Sequence, residues 1–370
     1  MKFKEYLLKD IATITMGQSP KSQFYNEDGK GIEFLQGVRT FGEDFPYFDT
    51  YTTKYNRLAY KNSILFSVRA PVGRVNWATK NIAIGRGVAS ISVKNMVYDR
   101  YVYYYFKKMG SFYDKKATGT VFTSIDKKEL ESLKIKIPAS YDDQKRIADR
   151  LATLDRKIHL NQQLNANLVE ISNTIFKQIL ISNDLHEFTI NDIGTVAGGG
   201  TPSKKITSYW NGNIPWLSPK DLSNKPRIFT SSGENYITQQ GLDNSSTKLL
   251  PRNTVLFSSR APIGYLSIAK NRIATNQGFK SVIPNKQYPF WFIYELLKVE
   301  TPRIINEANG STFKEVSGSR LKQHIVYVPK SSDVLRYNSI FISLFQKMMQ
   351  SESEIDTLNS LKRALLNKLF

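Results

Sequence analysis

Apolar residues follow two different periods along this chain of 370 residues. In residues 139–183 and 331–370 they recur at alternating steps of three and four, which is the seam of a coiled coil. Elsewhere short apolar runs alternate with turn residues, as at Ile64–Ser67 and Val255–Ser258, which is typical of β-strands. The pattern therefore predicts mixed α/β domains that are each followed by a long helix.

The seam of each predicted helix can be written residue by residue. Asp142 and Asp143 lie near the start of the first helix, where carboxylates favour the helix dipole, and no Pro or Gly interrupts it before Asn183. Its seam is formed by Ile147, Leu151, Leu154, Ile158, Asn161, Asn165, Leu168, Ser172, Ile175 and Ile179. The seam of the second helix is formed by Leu344, Met348, Ser351, Ile355, Leu358, Lys362, Leu365 and Leu369.

Helices of about 40 residues would each be about 60 Å long. A helix of this kind, alone in water, leaves its apolar stripe exposed. Pairing the two helices with each other buries both stripes, and we expect an antiparallel coiled coil within the chain. The alternative is two shorter helices that pack on their own domains. Polar seam residues lower the stability of the pair but can fix its register.

The regions before the two helices repeat each other. Asp10–Pro20 reappears 182 positions later as Asp192–Pro202, whereas Ile64–Gly73, with its Arg-Ala-Pro-x-Gly motif, reappears 191 positions later as Val255–Gly264. The change of offset places nine additional residues in one loop of the second copy. Each copy, with the segment that follows it, spans about 185 residues, which is too long for one repeat of a solenoid. We therefore predict two duplicated domains, at 1–138 and 184–330.

Charge separates the repeated domains from the helices. The chain carries a formal net charge of +20 at pH 7, of which each helical segment holds only +1. The remaining +18 lies in the two repeated domains. Strongly basic domains indicate binding to phosphate backbones. An anionic membrane surface is the alternative, but the sequence lacks the amphipathic basic helix that such binding uses.

Composition excludes several other classes of protein. The chain has no cysteine, which rules out disulfides and thiolate metal sites, and its three histidines are scattered. No apolar run approaches the roughly 20 residues that cross a bilayer. Met1–Glu5 lacks the apolar core of a signal peptide. We therefore expect a cytoplasmic protein with no metal site.

Two motifs suggest enzymes, but neither is complete. Asn213–Trp216 has the asparagine and aromatic residue of an adenine methyltransferase motif but lacks its second proline, and the first copy has Gly31–Phe34 there. Gly198–Pro202 lacks the Gly-Lys-Ser/Thr ending of a phosphate loop. The acidic residues are too dispersed to indicate a Mg²⁺-dependent nuclease.

We expect no catalytic residue and no cofactor in this chain. A methyltransferase or nuclease with a fused recognition region, and a tandem nucleic-acid-binding protein without sequence readout, are the alternatives.

The candidate DNA contacts are of two kinds. Arg69 and Arg260 hold matching positions, which suits a phosphate clamp or a bidentate contact to guanine, or else an ion pair that holds the turn. Positions that differ between the copies, and the Gly- and hydroxyl-rich loops 115–120 and 309–314, are candidates for base or backbone contacts. The complete predicted set is Ser19, Lys21, Gln36, Arg39, Arg69, Arg74, Arg86, Thr118 and Thr120 in the first copy, and Thr201, Lys204, Lys205, Ser218, Lys220, Arg260, Gln277, Ser311, Thr312 and Lys314 in the second.

The order of these motifs, duplicated along the whole chain, resembles the specificity subunit of type I restriction-modification systems. The resemblance rests on the Gly-x-Ser/Thr-Pro turns, the strand and Arg-Ala-Pro-x-Gly motifs, and Ile147–Asp155 with Leu365–Phe370 in the helices. The second helix departs from it, because Val334–Leu335 and Phe345–Gln346 replace the Asp143–Gln144 and Leu154–Asp155 pairs of the first.

The resemblance implies two target-recognition domains separated by a coiled coil, each recognising half of a bipartite, asymmetric site in double-stranded DNA. It implies adenine methylation by two modification subunits that bind S-adenosylmethionine, and cleavage by restriction subunits that use ATP and Mg²⁺. These partners and cofactors would lie outside this chain. The helices would then set the spacing between the half-sites.

Overall fold

The computed structural model describes residues 1–118, 124–224, 226–260, 262–308 and 314–370, and for 111–118 only the backbone. The described chain divides into two compact units. Unit 1 comprises residues 1–157 and 358–370, and unit 2 comprises residues 158–357. The two long segments with coiled-coil periodicity therefore contribute to both units.

Unit 1 combines short strands with two substantial helices. Its strands are β1 (Phe3–Leu7), β2 (Ala12–Met16), β3 (Tyr25–Asn26), β4 (Ile32–Leu35), β5 (Tyr51–Thr52), β6 (Leu58–Ala59), β7 (Ile64–Ser67), β8 (Val75–Trp77), β9 (Ile82–Ile84), β10 (Val88–Val93) and β11 (Lys134–Pro138). Its helices are α1 (Leu8–Ile11), α2 (Asp99–Thr118), α3 (Lys127–Glu131) and the first part of α4 (Tyr141–Ser182).

Unit 2 repeats this order with additions. Its strands are β12 (His186–Thr189), β13 (Gly194–Gly198), β14 (Trp210–Leu217), β15 (Phe229–Thr230), β16 (Asn235–Ile237), β17 (Leu249–Leu250), β18 (Val255–Ser259), β19 (Ile263–Ala269), β20 (Ile273–Thr275), β21 (Lys280–Pro284) and β22 (Ile325–Val328). Its helices are α5 (Ile190–Ile193), α6 (Pro219–Asn224), α7 (Gln239–Asp243), α8 (Phe290–Asn306), α9 (Gly318–Gln323), α10 (Ser331–Arg336) and α11 (Asn338–Leu369), of which α11 ends in unit 1.

The corresponding strands of the two units follow the same order in their sheets, to which unit 1 adds β3 and unit 2 adds β15. In unit 1 the strands pair as β1-β11, β2-β10-β7-β8 and β3-β5-β4-β9-β6. In unit 2 they pair as β12-β22, β13-β21-β18-β19-β15 and β16-β14-β20-β17. The parallel pair β4 and β9 corresponds to the parallel pair β14 and β20 among otherwise mostly antiparallel ladders. The predicted duplicated, mixed α/β architecture is confirmed.

Long helices pair within each unit in opposite directions. In unit 1, Ile147 and Leu151 of α4 belong to one apolar cluster with Leu365 and Leu369 of α11. In unit 2, later residues of α4, including Ile179, share a cluster with earlier residues of α11. Later positions on one helix thus meet earlier positions on the other, and the predicted antiparallel helix pair is confirmed.

The long helices also pack on the domains beside them, as the alternative expected, but they are not the two separate shorter helices of that alternative. In unit 2 the Phe341 ring stacks on Trp291 with centroids 3.9 Å apart, and Phe345 meets Phe229 edge-on. In unit 1 the ring of Phe370 lies against Tyr101. The reason is that aromatic residues next to the seam widen the apolar face of each helix beyond what pairing alone would bury.

Every predicted seam position is buried or half-buried. Several of the polar ones have specific partners: the Lys362 ammonium pairs with Asp155, and the Asn161 amide donates to Glu354 at 2.8 Å. The Ser172 hydroxyl donates to Glu295 on α8 at 2.5 Å. The buried seam residues are Ile147, Leu151, Ile158, Asn161, Ser172, Ile179, Met348, Ser351 and Lys362, and the half-buried ones are Leu154, Asn165, Leu168, Ile175, Leu344, Ile355, Leu358, Leu365 and Leu369.

The nine additional residues of the second copy lie between β14 and β18, where unit 2 carries α6, β15 and α7. This region is bound to α11. The Arg227 guanidinium forms a bidentate ion pair with Asp356, and the Glu352 carboxylate accepts hydrogen bonds from the backbone N–H groups of Ile228 (2.9 Å) and Phe229 (3.1 Å). The longer loop therefore anchors the domain of unit 2 to its helix.

Candidate nucleic-acid interface

Each Arg-Ala-Pro-x-Gly motif lies at a turn that we call the arginine corner, defined by residues 67–74 in unit 1 and by residues 258–260 and 262–265 in unit 2. In unit 1 the buried Ser67 hydroxyl donates to the carbonyl of Pro71 at 2.7 Å and accepts from the N–H of Arg74 at 2.8 Å. Gly73 has a φ of 86°, a conformation that favours glycine. The turn leaves the side chains of Arg69 and Arg74 exposed.

The corner of unit 2 repeats this network atom for atom. The Ser258 hydroxyl donates to the carbonyl of Pro262 at 2.8 Å and accepts from the N–H of Tyr265 at 2.7 Å. Gly264 has a φ of 100°. Because Tyr265 replaces Arg74, the duplicated backbone presents different side chains in the two units, with Arg260 half-exposed.

Three other segments of unit 1 meet beside its corner. The N–H of Val68 donates to the carbonyl of Gly87, and the N–H of Gly87 donates to the carbonyl of Gln36, each at 3.0 Å. The Ser19 hydroxyl accepts from the N–H of Arg86 at 3.2 Å. A Cβ on the neighbouring Gly17 would lie 2.1 Å from a backbone carbonyl oxygen, so only glycine fits there.

These bonds join the Gly-x-Ser-Pro turn, the end of β4, the turn after β9 and the corner into one continuous surface. The side chains of Gln36, Arg69 and Arg86 are exposed on it. Four predicted residues far apart in the sequence, namely Ser19, Gln36, Arg69 and Arg86, are therefore brought together.

Unit 2 joins the corresponding segments. The N–H of Gly200 donates to the carbonyl of Thr275, and the N–H of Asn276 donates to that of Leu217, both at 2.8 Å. The N–H of Ser259 donates to the carbonyl of Gly278 at 2.8 Å. These bonds bring together four predicted residues, namely Thr201, Ser218, Arg260 and Gln277. The Thr201 hydroxyl donates to the side-chain oxygen of Gln277.

Some of the predicted base-contact residues have partners within the chain. The Arg39 guanidinium forms a bidentate ion pair with Asp49, at 2.5 and 2.8 Å, which holds the pKa of the Asp49 carboxyl below its ordinary value. The hydroxyl and N–H of Ser218 both donate to Asp221, at 2.8 and 2.7 Å. These partners fix the orientation of both side chains.

The remaining predicted residues lie around the two surfaces. Lys21, Lys204, Lys205 and Lys314 are exposed, and the ammonium of the exposed Lys220 lies 3.9 Å from the Glu234 carboxylate. Thr118 ends helix α2, but its side chain lies outside the described residues, as do Thr120, Ser311 and Thr312.

Each corner also pairs with the chain that follows the loop after α2 or α8. Arg69 and Ser124 form an antiparallel bridge, and Arg260 forms the same bridge with Glu315. The N–H of Ile125 donates to the carbonyl of Val68 at 2.9 Å, as the N–H of Val316 does to that of Ser259 at 3.0 Å. Residues that follow the two predicted contact loops therefore lie beside the corners.

Sequence reasoning missed two charged residues at the corner of unit 2. The Glu315 carboxylate lies 3.6 Å from the Arg260 guanidinium and 3.8 Å from the Lys280 ammonium. Burial lowers the pKa of Lys280, although Glu315 opposes that effect. Comparing the two copies at the offset of 191 would have revealed both residues, because Ser124 and Ala89 hold these places in the first copy.

The described residues contain no group of three or more His, Cys, Asp or Glu side chains that could hold a metal ion. Among the helices described, none is both long and apolar enough to cross a membrane.

Comparisons with known proteins agree on one family. The model of the type I restriction modification DNA specificity domain matches the chain in two parts, residues 1–170 and 183–357. The chain is 41% identical over 167 residues to the type I restriction enzyme MjaIX specificity subunit of Methanocaldococcus jannaschii, an alignment that covers 45% of this chain and 38% of that protein.

The chain is also 29% identical over 236 residues to the type I restriction enzyme EcoR124I/EcoR124II specificity subunit of Escherichia coli. That alignment covers 60% of this chain and 57% of that protein. The chain thus matches about half or less of these relatives' lengths. The crystal structure of a type I restriction-modification S subunit from M. genitalium has the same fold, with a TM-score of 0.69 over 100% of this chain and 96% of that one, at 18% identity.

Proposed function

The chain belongs to the family of type I restriction modification DNA specificity domains, and from this premise we propose that it is the DNA-specificity subunit of a type I restriction-modification complex. The observation that carries the proposal is the duplicated surface, on which the same backbone network presents different exposed side chains. One scaffold that displays two sets of side chains suits the recognition of two different half-sites.

Each unit would recognise one half of a bipartite, asymmetric DNA site. In unit 1, Gln36 and Arg86 have the donor and acceptor groups that discriminate adenine and guanine edges. In unit 2, Gln277 takes the place of Arg86. Other predicted residues would contact the DNA backbone or orient the base-contacting groups. The cationic ones are Arg69, Arg74, Arg260, Lys21, Lys204, Lys205, Lys220 and Lys314. The hydroxyls are those of Ser19, Thr118, Thr120, Thr201, Ser218, Ser311 and Thr312.

Arg39 has a different role in this proposal. Its ion pair with Asp49 occupies both guanidinium nitrogens that a bidentate contact to guanine would use. We propose that Arg39 either exchanges Asp49 for DNA or holds the loop between β4 and β5. The basic charge of the two domains supports binding, since phosphate contacts supply most of the affinity of DNA-binding proteins.

The catalytic steps would belong to partners in the cytoplasm. Two modification subunits would bind S-adenosylmethionine and methylate adenine, and restriction subunits would cleave DNA with ATP and Mg²⁺. The paired helices α4 and α11 would set the spacer between the half-sites, and this chain would direct the reaction without performing it.

The experiment is methylation mapping with exchange variants. We would co-express the chain with its modification subunits in a host without adenine methylation and locate methylated adenines by single-molecule sequencing. We expect one asymmetric bipartite motif. Exchanging residues 184–330 for the matching region of a relative should change one half-site only, and Arg86→Ala and Gln277→Ala should each relax a different half, by roughly 1–3 kcal/mol of discrimination.

A change of both half-sites by the exchange would contradict the assignment of one half-site to each unit. Methylation or cleavage of DNA by the purified chain alone would contradict the non-catalytic role. Affinity that depends on salt but not on DNA sequence would favour a non-specific binding protein.

A further inference from the structure

The two arginine corners share their serine hydrogen bonds and the bridge from the arginine but differ in electrostatics. In unit 2 the exposed Glu315 carboxylate lies between the Arg260 guanidinium and the Lys280 ammonium, at 3.6 and 3.8 Å. The Lys280 ammonium also donates to the carbonyl of Gln277 at 3.0 Å, which fixes it at the turn that presents Gln277. One carboxylate is thus shared by two cations at the edge of the proposed DNA surface.

Unit 1 has neither of the two added charges. Ser124 and Ala89 stand where unit 2 has Glu315 and Lys280, although the backbone bridge from the corner arginine is the same in both units. Within the part of the chain that the structure describes, no carboxylate forms an ion pair with Arg69, which is exposed. The charges of Glu315 and Lys280 cancel, so the two corners have the same net charge. The corner of unit 2 differs from that of unit 1 because two cations, Arg260 and Lys280, lie around one anion, Glu315.

The geometry points to a specific role for Glu315. On the basis of the proposed function, we propose that this carboxylate stands in for a DNA phosphate: it holds Arg260 and Lys280 while unit 2 is free, and a backbone phosphate of bound DNA replaces it between the same two cations.

The contacts of Glu315 suit such an exchange. Both distances exceed those of a charge-assisted hydrogen bond, about 2.7–2.9 Å, so Glu315 itself holds neither cation tightly. The side chains of Arg260 and Glu315 are 38% and 42% exposed, and an ion pair at that exposure contributes little to stability. The Lys280 side chain is 15% exposed, so only part of it faces the solvent. A backbone phosphate carries one negative charge on two non-bridging oxygens, as a carboxylate does, and can accept from the guanidinium and the ammonium together.

Removing the carboxylate should make the corner a stronger phosphate site. In Glu315→Gln, both cations face the DNA without a competing anion, so one more phosphate is effectively neutralised. We expect binding about two- to fivefold tighter and a slope of log K against log salt concentration that is steeper by about 0.9. The reciprocal variant Ser124→Glu gives Arg69 a carboxylate and should weaken binding and flatten the slope.

The test uses the full chain and a fluorescent random-sequence DNA duplex, titrated at several salt concentrations. Glu170→Gln is the matched control, because it makes the same change of net charge on the exposed face of α4. It should change the slope much less than Glu315→Gln does. If Glu315→Gln fails to fold, Glu315→Ser, which installs the residue of the first copy, replaces it.

Weaker binding by Glu315→Gln would overturn the proposal and make Glu315 a positioning residue for Arg260. An effect equal to that of Glu170→Gln would show that no phosphate site lies at this corner. Failure of the unchanged chain to bind any duplex would overturn the proposed function itself, and this inference with it.

Discussion

Two buried serines show how little of each arginine corner is free to vary. Ser67 and Ser258 bridge the same backbone groups, so a side chain without a hydroxyl would leave a partly buried N–H without this partner, at about 1 kcal/mol. The arginines that follow them are exposed or half-exposed and have different neighbours in the two units. The inner residues of the motif thus hold the turn, and the outer residues are free to determine what it contacts.

His324 has no histidine counterpart in the first copy, because Leu133 stands at the position 191 residues earlier. Its side chain is 1% exposed, and its two ring nitrogens lie 3.1 and 3.0 Å from the carboxylates of Glu300 and Glu307. Arg303 and Arg320 pair with the same carboxylates. Burial alone would lower the pKa of His324, but the two carboxylates outweigh it and raise the pKa above the ordinary 6.5.

We therefore predict that unit 2 loses stability as the pH rises. Because the folded pKa lies above the unfolded one, the contribution of His324 is complete below about pH 6.5 and is lost as the pH passes through the raised value. Thermal unfolding between about pH 5 and pH 9 should show this loss, and His324→Gln should remove it. His159→Gln, at an exposed position, should leave the loss unchanged; a loss that persists in His324→Gln would assign it to another group.

The long helices and their seam could be predicted because a period of three and four is local information. The packing of the helices on the domains could not be predicted in the same way. Phe345 follows the seam residue Leu344, and nothing near it in sequence indicates that Phe229, Phe290 and Tyr294 surround its ring. The partners of aromatic residues come from segments far apart, so only the folded chain identifies them.

Two seam asparagines allow a test of what the polar positions do. Asn161 donates to Glu354, whereas the buried Oδ1 of Asn165 accepts no hydrogen bond from the residues described. We predict that Asn165→Leu raises the free energy of unfolding by about 1 kcal/mol, since it removes an unpaired polar atom. Asn161→Leu should give little or no gain, because the lost hydrogen bond to a carboxylate offsets the apolar contact. Chemical denaturation of both variants measures this, and equal gains would contradict it.

At the scale of the whole chain, the duplication in the sequence is enough to locate the scaffold of both surfaces. Equal offsets align Arg69 with Arg260 and Gly73 with Gly264, and these residues have the same backbone in the folded chain. The offset could not show that Arg39 pairs with Asp49 or that Arg227 binds Asp356, since neither pair has a counterpart in the other copy. Repetition in a sequence reveals the shared scaffold, and what distinguishes the copies depends on contacts.

The last prediction concerns the spacer that the helices would set. Deleting residues 159–165 from α4 together with 357–363 from α11 removes one heptad from each helix, keeps both seams in phase and retains Glu352 and Asp356. The pair becomes shorter by about 10.5 Å, which equals about three base pairs of DNA. We expect methylation mapping to return the same two half-sites with a spacer about three base pairs shorter. Deleting 159–165 alone mismatches the helices and should abolish methylation, whereas an unchanged spacer in the matched variant would mean that the helices do not measure the site.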